Sequence, residues 1–131
     1  MSEEKVALVR ALVARPILDL TEEDLPEYFE PDVEMIALRS VTEGAYRGYS
    51  GLLRLQADNA ATFEKFGQRY DVREVGERVL ATGTIRVRGA GSGVEMDIPA
   101  HIVIEFRHGK ISRWHAFGLK AEALNALGLT E

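Results

Sequence analysis

The chain contains no cysteine, which excludes disulfides, thiolate catalysis, iron–sulfur clusters and cysteine-type zinc sites. No apolar run approaches the ~18–20 residues of a membrane-spanning helix. Basic residues are in deficit: Lys plus Arg number 16 against 21 Asp plus Glu, for a formal net charge of −5. A nucleic-acid binder normally carries a basic face, so this balance speaks against one. The opening Met1-Ser2-Glu3-Glu4-Lys5 lacks the basic-then-apolar layout of a secretion signal. The expectation is a soluble cytoplasmic protein with no membrane and no nucleic-acid partner. There is no HExxH, GxSxG, Walker or EF-hand pattern. The run Gly89-Ala90-Gly91-Ser92-Gly93 joins two strands, and no helix N-terminus follows it to receive a phosphate. Ser40, Ser50, Ser92 and Ser112 lack a visible histidine–acid arrangement. No metal and no cofactor is expected.

What is present is ordinary globular material. Hydrophobic residues make up 46% and charged residues 28% of 131 residues, which suits one domain over 1–131. Residues 3–14 read as a helix, with Ser2 as N-cap and Pro16 as terminator. Thr21 to Asp24 opens a short second helix whose apolar face is Leu25, Tyr28 and Phe29, and Pro31-Asp32 breaks it. Residues 33–38 form a strand. Gly44 to Gly51 is a loop, with Ser50 placed to cap the next helix. In 52–66, Leu52, Leu55, Asn59, Phe63 and Phe66 recur at spacings of three and four, the stripe of a long helix.

The period then changes from the helical one to two. Residues 70–75 alternate weakly. Val79, Ala81, Gly83, Ile85 and Val87 share one face of a strand, with Leu80, Thr82, Thr84, Arg86 and Arg88 on the other. Ile98, Ala100, Ile102, Ile104 and Phe106 alternate with Asp97, Pro99, His101, Val103 and Glu105. Arg107-His108-Gly109 suits a hairpin loop leading into a strand over 111–117. Residues 120–127 close with a helix stopped by Gly128. Helices around one strand, followed by long antiparallel strands, indicate an α+β domain.

This order of motifs resembles the nuclear transport factor 2-like superfamily and, within it, the SnoaL-like proteins. The resemblance rests on Tyr28 to Glu34 before the first strand and on Tyr46-Arg47-Gly48-Tyr49-Ser50-Gly51-Leu52 before the long helix. It also rests on Gly91 to Glu95, Phe106 to Ile111, and the tail from Ala121 to Leu129. It implies a curved antiparallel sheet forming a cone around three to four helices, the cystatin-like architecture. It further implies a cavity for a small apolar molecule and a homodimer formed through the outer sheet face. Members include ketosteroid isomerases, polyketide cyclases and epoxide hydrolases, and also modules without chemistry, so the fold leaves the reaction open.

The isomerase-type members use a tyrosine and two aspartates, and the matching positions here are Val13, Ala37 and Ile102, or His101 if the strand shifts by one. None of the three groups is kept, so that mechanism is not expected in that form. An epoxide-hydrolase-like plan would draw on Asp97 with Arg86 or Arg88, residues that alternation also explains as solvated strand ends. His101, His108 and His115 are spaced by seven. With a three-residue loop at 107–109, Phe106 pairs with Lys110 and His101 lies across from His115. Alternation puts His101 on the outer face, whereas a slip near Pro99 would turn it into the cone. Trp114 shares a face with Ser112 and Ala116, where it would stack on a flat ligand or fill the core.

The expected function is binding of a small apolar, polyketide- or steroid-like molecule, with isomerase- or cyclase-type proton transfer as a possible chemistry. A non-catalytic module with a filled interior, or epoxide-hydrolase-like water activation, are the alternatives. Candidate catalytic residues are His101 and Tyr46, and candidate ligand-binding residues are Tyr28, Met35, Phe63, Ile102 and Trp114. Related chains often cap the last helix with an aspartate where this chain has Leu119.

Overall fold

The computed structural model of the protein describes residues 2–15 and 19–129. The first helix forms as α1 (Ser2–Val13), with Glu3 and Glu4 in its first turn, where the helix dipole favours acids. Its inward residues Val9 and Leu12 are fully buried. The Ser2 side chain and Pro16, the expected cap and terminator, lie outside the described residues.

The second helix is a single turn, α2 (Leu25–Tyr28), and β1 (Phe29–Ile36) follows without a break. Thr21 does not act as a side-chain cap. Instead the Asp24 carboxylate accepts the Thr21 backbone N–H at 2.7 Å and its hydroxyl at 3.0 Å, which is the return half of a capping box. Pro31 and Asp32, expected to break a helix, sit inside β1. The strand tolerates them because its pairing shifts register between Phe29 and Glu34, where no ladder bond is asked of the proline.

A short turn of helix, α3 (Ser40–Glu43), and a two-residue strand, β2 (Tyr46–Arg47), then lead into α4 (Gly48–Thr62). Ser50 lies within α4 and caps nothing. The helix expected over 52–66 stops at Thr62, and Phe63 and Phe66 belong to β3 (Phe63–Val75). The physical reason is pairing at long range: Phe63 faces Gly89 and Phe66 faces Val87 on β4 (Arg78–Gly89), and this ladder overrides a helical spacing that merely happens to continue. β5 (Glu95–Arg107), β6 (Lys110–Phe117) and α5 (Lys120–Ala126) complete the chain.

The six strands form one mixed sheet in the order β2-β1-β6-β5-β4-β3. All neighbours are antiparallel except β1 and β6, which run parallel, a correction to the purely antiparallel expectation. The sheet is not closed, yet α4 touches β1 and β2 near one edge and β3 at the other. α4 runs directly into β3, so the curl shows instead in Met35 of β1, Trp114 of β6, Ile102 of β5 and Phe66 of β3 lining one cavity with Leu55 and Asn59 of α4. Helix α1 packs on β3 on this concave side. Helix α5 covers the opposite face, where Ala123 and Leu127 meet Leu80 and Val103.

Leu119 stands at the N-cap of α5 in extended conformation, makes no side-chain cap bond, and is 65% exposed. Leu119→Asp should therefore supply the missing acceptor at no packing cost and raise stability by about 1 kcal/mol, read as a higher denaturant midpoint. An unchanged midpoint would show that water already serves those amides.

Candidate functional site

The β5–β6 hairpin decides which side chains face inward. Arg107 pairs with Lys110, so the turn has two residues, His108 and Gly109, both in the left-handed region with φ of 55° and 76°. The ladder then slips: Phe106 pairs with Ile111 but Glu105 pairs with Arg113. Ser112 is the extra residue of this bulge, and it lets Ile111 and Trp114, three apart, both enter the main core. One correction follows. His101 pairs with Phe117, not His115, and His115 pairs with Val103. The alternative slip near Pro99 does not occur, since the β4–β5 ladder runs unbroken from Glu95 to Ile104 and His101 keeps the outer face that alternation assigns it.

The concave side encloses a cavity of about 370 Å³ between the sheet, α1 and α4. Its wall is mainly apolar. Leu12, Met35, Phe63, Ile98, Ile102 and Trp114 contribute from five different elements. Four polar residues interrupt this lining: Arg39, Asn59, Gln68 and Tyr70. Arg39 donates from Nε to Asn59 Oδ1 at 3.0 Å, and from Nη2 to Thr62 Oγ1 at 3.0 Å and the Asp58 carbonyl at 3.4 Å. These bonds fasten the α3 turn to the end of α4. Tyr70 donates its hydroxyl to Gln68 Oε1 at 3.0 Å, and burial raises its pKa well above the usual phenol range. Gln68 Nε2 is buried and has no hydrogen-bond partner. Among the described residues of the wall there is no carboxylate and no imidazole.

Of the residues expected to meet a ligand, Met35, Phe63, Ile102 and Trp114 line the cavity. Tyr28 does not. It is buried beside α1 and accepts a hydrogen bond from Arg15 Nη1 at 3.3 Å. Tyr46 is fully buried outside the wall, donating to Asp58 Oδ2 at 2.8 Å, with Arg54 over its ring at 4.8 Å. Burial, and next the Asp58 carboxylate, raise its pKa. Arg86 and Arg88 form an exposed ion-pair ladder with Glu64, Glu95 and Asp97, and none of these residues lines the cavity. Glu30, a buried acid, is held by Arg107 Nε at 3.2 Å and His108 Nδ1 at 2.8 Å and is likewise not part of the wall.

His101 projects from the opposite face to Ile98 and Ile102, because β5 alternates without interruption through it. Its Nδ1 and the hydroxyl of the paired Thr82 are buried without partners. The imidazole pKa is lowered, first by burial and then by the charge of Lys120. His115, stacked on Phe117 at 4.0 Å, is lowered by burial and by Arg113. A histidine whose folded pKa is depressed stabilises the fold while neutral. That contribution is complete above the ordinary value of 6.5 and is lost as pH falls below it. Stability should therefore decline on acidification below this value, and His101→Gln should flatten the decline in a series of denaturation curves. A parallel slope in the variant would refute the assignment.

Arg39, Gln68 and Tyr70 were not foreseen as wall residues. Phe66, Gln68 and Tyr70 alternate with period two, a signal hidden by assigning Phe66 to a helix. Asn59 is a polar member of an otherwise apolar stripe, which was the visible hint. Nothing in the loop around Arg39 announces that it reaches a cavity.

No family model matches the chain, and no curated protein matches it by sequence. Solved structures do. TerC, co-crystallized with polyporic acid, is 18% identical at a TM-score of 0.75, the match covering 95% of this chain and 98% of that one. A protein described as a SnoaL-like polyketide cyclase, from Jannaschia, is 16% identical at a TM-score of 0.75, covering 99% of this chain and 95% of that one. A Catenulispora acidiphila protein with a ketosteroid isomerase-like fold, in complex with trimethylamine, is 15% identical at a TM-score of 0.72, covering 93% and 92%. The chain thus has the α+β fold shared by nuclear transport factor 2-like and SnoaL-like proteins. Among the described residues no helix is long and apolar enough to cross a membrane.

Proposed function

We propose that this protein binds a small, largely apolar molecule in the cavity between the curled sheet and helices α1 and α4. One observation carries the reading: about 370 Å³ of space is left open inside a mainly apolar wall that holds a few converging polar groups. Ligand sites typically occupy ~300–1,000 Å³ with this composition. A cone meant only as a structural module would fill that volume with its own side chains, because unfilled apolar space costs stability. Fold neighbours crystallised with polyporic acid or trimethylamine lend support by analogy.

Trp114 and Met35 offer a flat and a deformable apolar contact, and Gln68 offers a hydrogen-bond donor to an oxygen of the ligand. Binding is favoured over isomerase- or cyclase-type turnover because proton transfer needs a base within reach, and the described wall supplies neither carboxylate nor imidazole. Native mass spectrometry of protein purified from its own host tests the proposal. A co-purifying small organic molecule, released on denaturation, is the expected result. The same spectra count subunits, for which a homodimer is expected. A protein that emerges bare and also fails to take up flat apolar compounds would refute the reading.

A further inference from the structure

The cavity wall is uneven in charge. Arg39 is the one charged residue among its described members, and a guanidinium keeps its positive charge at every relevant pH. The groups that hold it are all uncharged: an amide oxygen of Asn59, the hydroxyl of Thr62 and the backbone carbonyl of Asp58. No ion pair neutralises it among the described residues. Nε and Nη2 are occupied by these partners, which leaves the Nη1 donors for something else. Arg39 is half-buried, so its guanidinium is partly withdrawn from water without a counter-charge, and an anion brought by a ligand would supply one.

A second donor points the same way. Gln68 spends its Oε1 on the Tyr70 hydroxyl, and its buried Nε2 has no acceptor. Leaving such a buried donor unmet is unfavourable, and an acceptor on a ligand would meet it. Arg39 is tied to Thr62, the last residue of α4 before β3, and Gln68 stands further along β3, with Phe63 and Phe66 between them. The wall therefore presents two donors separated by an aromatic stretch, and no described acid to repel a negative charge.

We infer that the molecule bound here is an organic anion. Its charged oxygens, a carboxylate or a delocalised enolate, sit on Arg39, its apolar body lies against Phe63, Phe66 and Trp114, and a further oxygen accepts from Gln68. This rests on the binding reading above and adds the charge of the ligand to it.

The test uses a matched pair of flat probes, anthracene-2-carboxylate and anthracene-2-carboxamide, which differ in charge and hardly in shape. Trp114 is the only tryptophan in the chain, so quenching of its emission by the anthracene ring reports occupation of the cavity. Wild-type protein should bind the carboxylate about tenfold more tightly than the amide or better, as a charge-assisted contact outweighs a neutral one. Arg39→Gln should erase that preference, bringing the affinity for the carboxylate down to that for the amide. Arg39→Lys, which keeps the charge but loses the fork, should retain part of it, and it carries the comparison if the Gln variant does not fold. Equal affinities in the wild type, or a preference that survives Arg39→Gln, would overturn the inference and leave the binding reading standing. Failure of both probes to quench Trp114 would remove the binding reading itself, and this one with it.

Discussion

Replacing Gly83 with alanine is expected to destabilise the protein by about 3 kcal/mol or more, enough to lower its denaturation midpoint sharply. A Cβ at this position would stand 1.8 Å from the carbonyl oxygen of Arg69, and 2.8 Å from both its carbonyl carbon and the Cα of Tyr70. All three are backbone atoms of the neighbouring strand, so no rotamer change relieves the overlap. The only escape is for β3 to move away from β4, breaking a ladder that otherwise pairs Lys65 to Val75 with Arg88 to Arg78 in order. Because Phe66, Gln68 and Tyr70 ride on that strand, the cavity wall would shift as well. Gly67→Ala is the internal control. It lies on the same ladder, opposite Arg86, and its nearest obstacle is 4.0 Å away. That variant should be neutral, or stabilising by up to about 1 kcal/mol through the stiffer unfolded chain. If the two alanine variants proved equally stable, the close approach of β3 and β4 would be wrong.

Ala116→Phe should abolish ligand uptake, with an affinity loss of about 100-fold or more, while the fold persists. Ala116 lies on β6 opposite Ile102, and both contribute to the cavity wall beside Trp114. A phenyl group projecting from it enters space that is now open and not a packed core, so the usual penalty for enlarging an interior side chain does not arise. Stability should stay level or rise, since added apolar contacts replace empty volume. Titration of anthracene-2-carboxamide against Trp114 emission, beside a thermal melt, separates these two effects. Loss of binding together with loss of folding would say that the cavity tolerates no filling. Full retention of binding would locate the ligand somewhere else on the molecule.

Much of this architecture was legible in the residue order because alternation and capping are local. The inner face of β4 is legible in the sequence, since Val79, Ala81, Ile85 and Val87 recur at period two and do turn inward. Helix α5 and its stop at Gly128 were equally plain, and the helix ends where the Leu129 amide donates to the Leu124 carbonyl at 2.8 Å. The border between α4 and β3 was not legible. Phe63 and Phe66 satisfy a helical stripe as well as a strand face, and only the partner strand, more than twenty residues away, breaks the tie. The parallel neighbour of β1 was hidden for the same reason, as its partner β6 comes almost at the end of the chain.

The site divides along this line. Sequence alone determined the chemical character of the interior: a cysteine-free, mainly apolar wall with Met35, Phe63, Ile102 and Trp114 in it, because these residues belong to elements whose inner faces repeat at a fixed period. Tertiary structure decided which polar groups join them. The bulge at Ser112 parted His101 from His115, and the unbroken β4–β5 ladder kept His101 on the outer face that alternation gives it. The α3 turn, clasped to α4 by three hydrogen bonds, brought Arg39 into the wall. Periodicity can assign a face to a residue within a helix or strand, but a loop residue has no period. Where Arg39 points is set by what it bonds to across the fold.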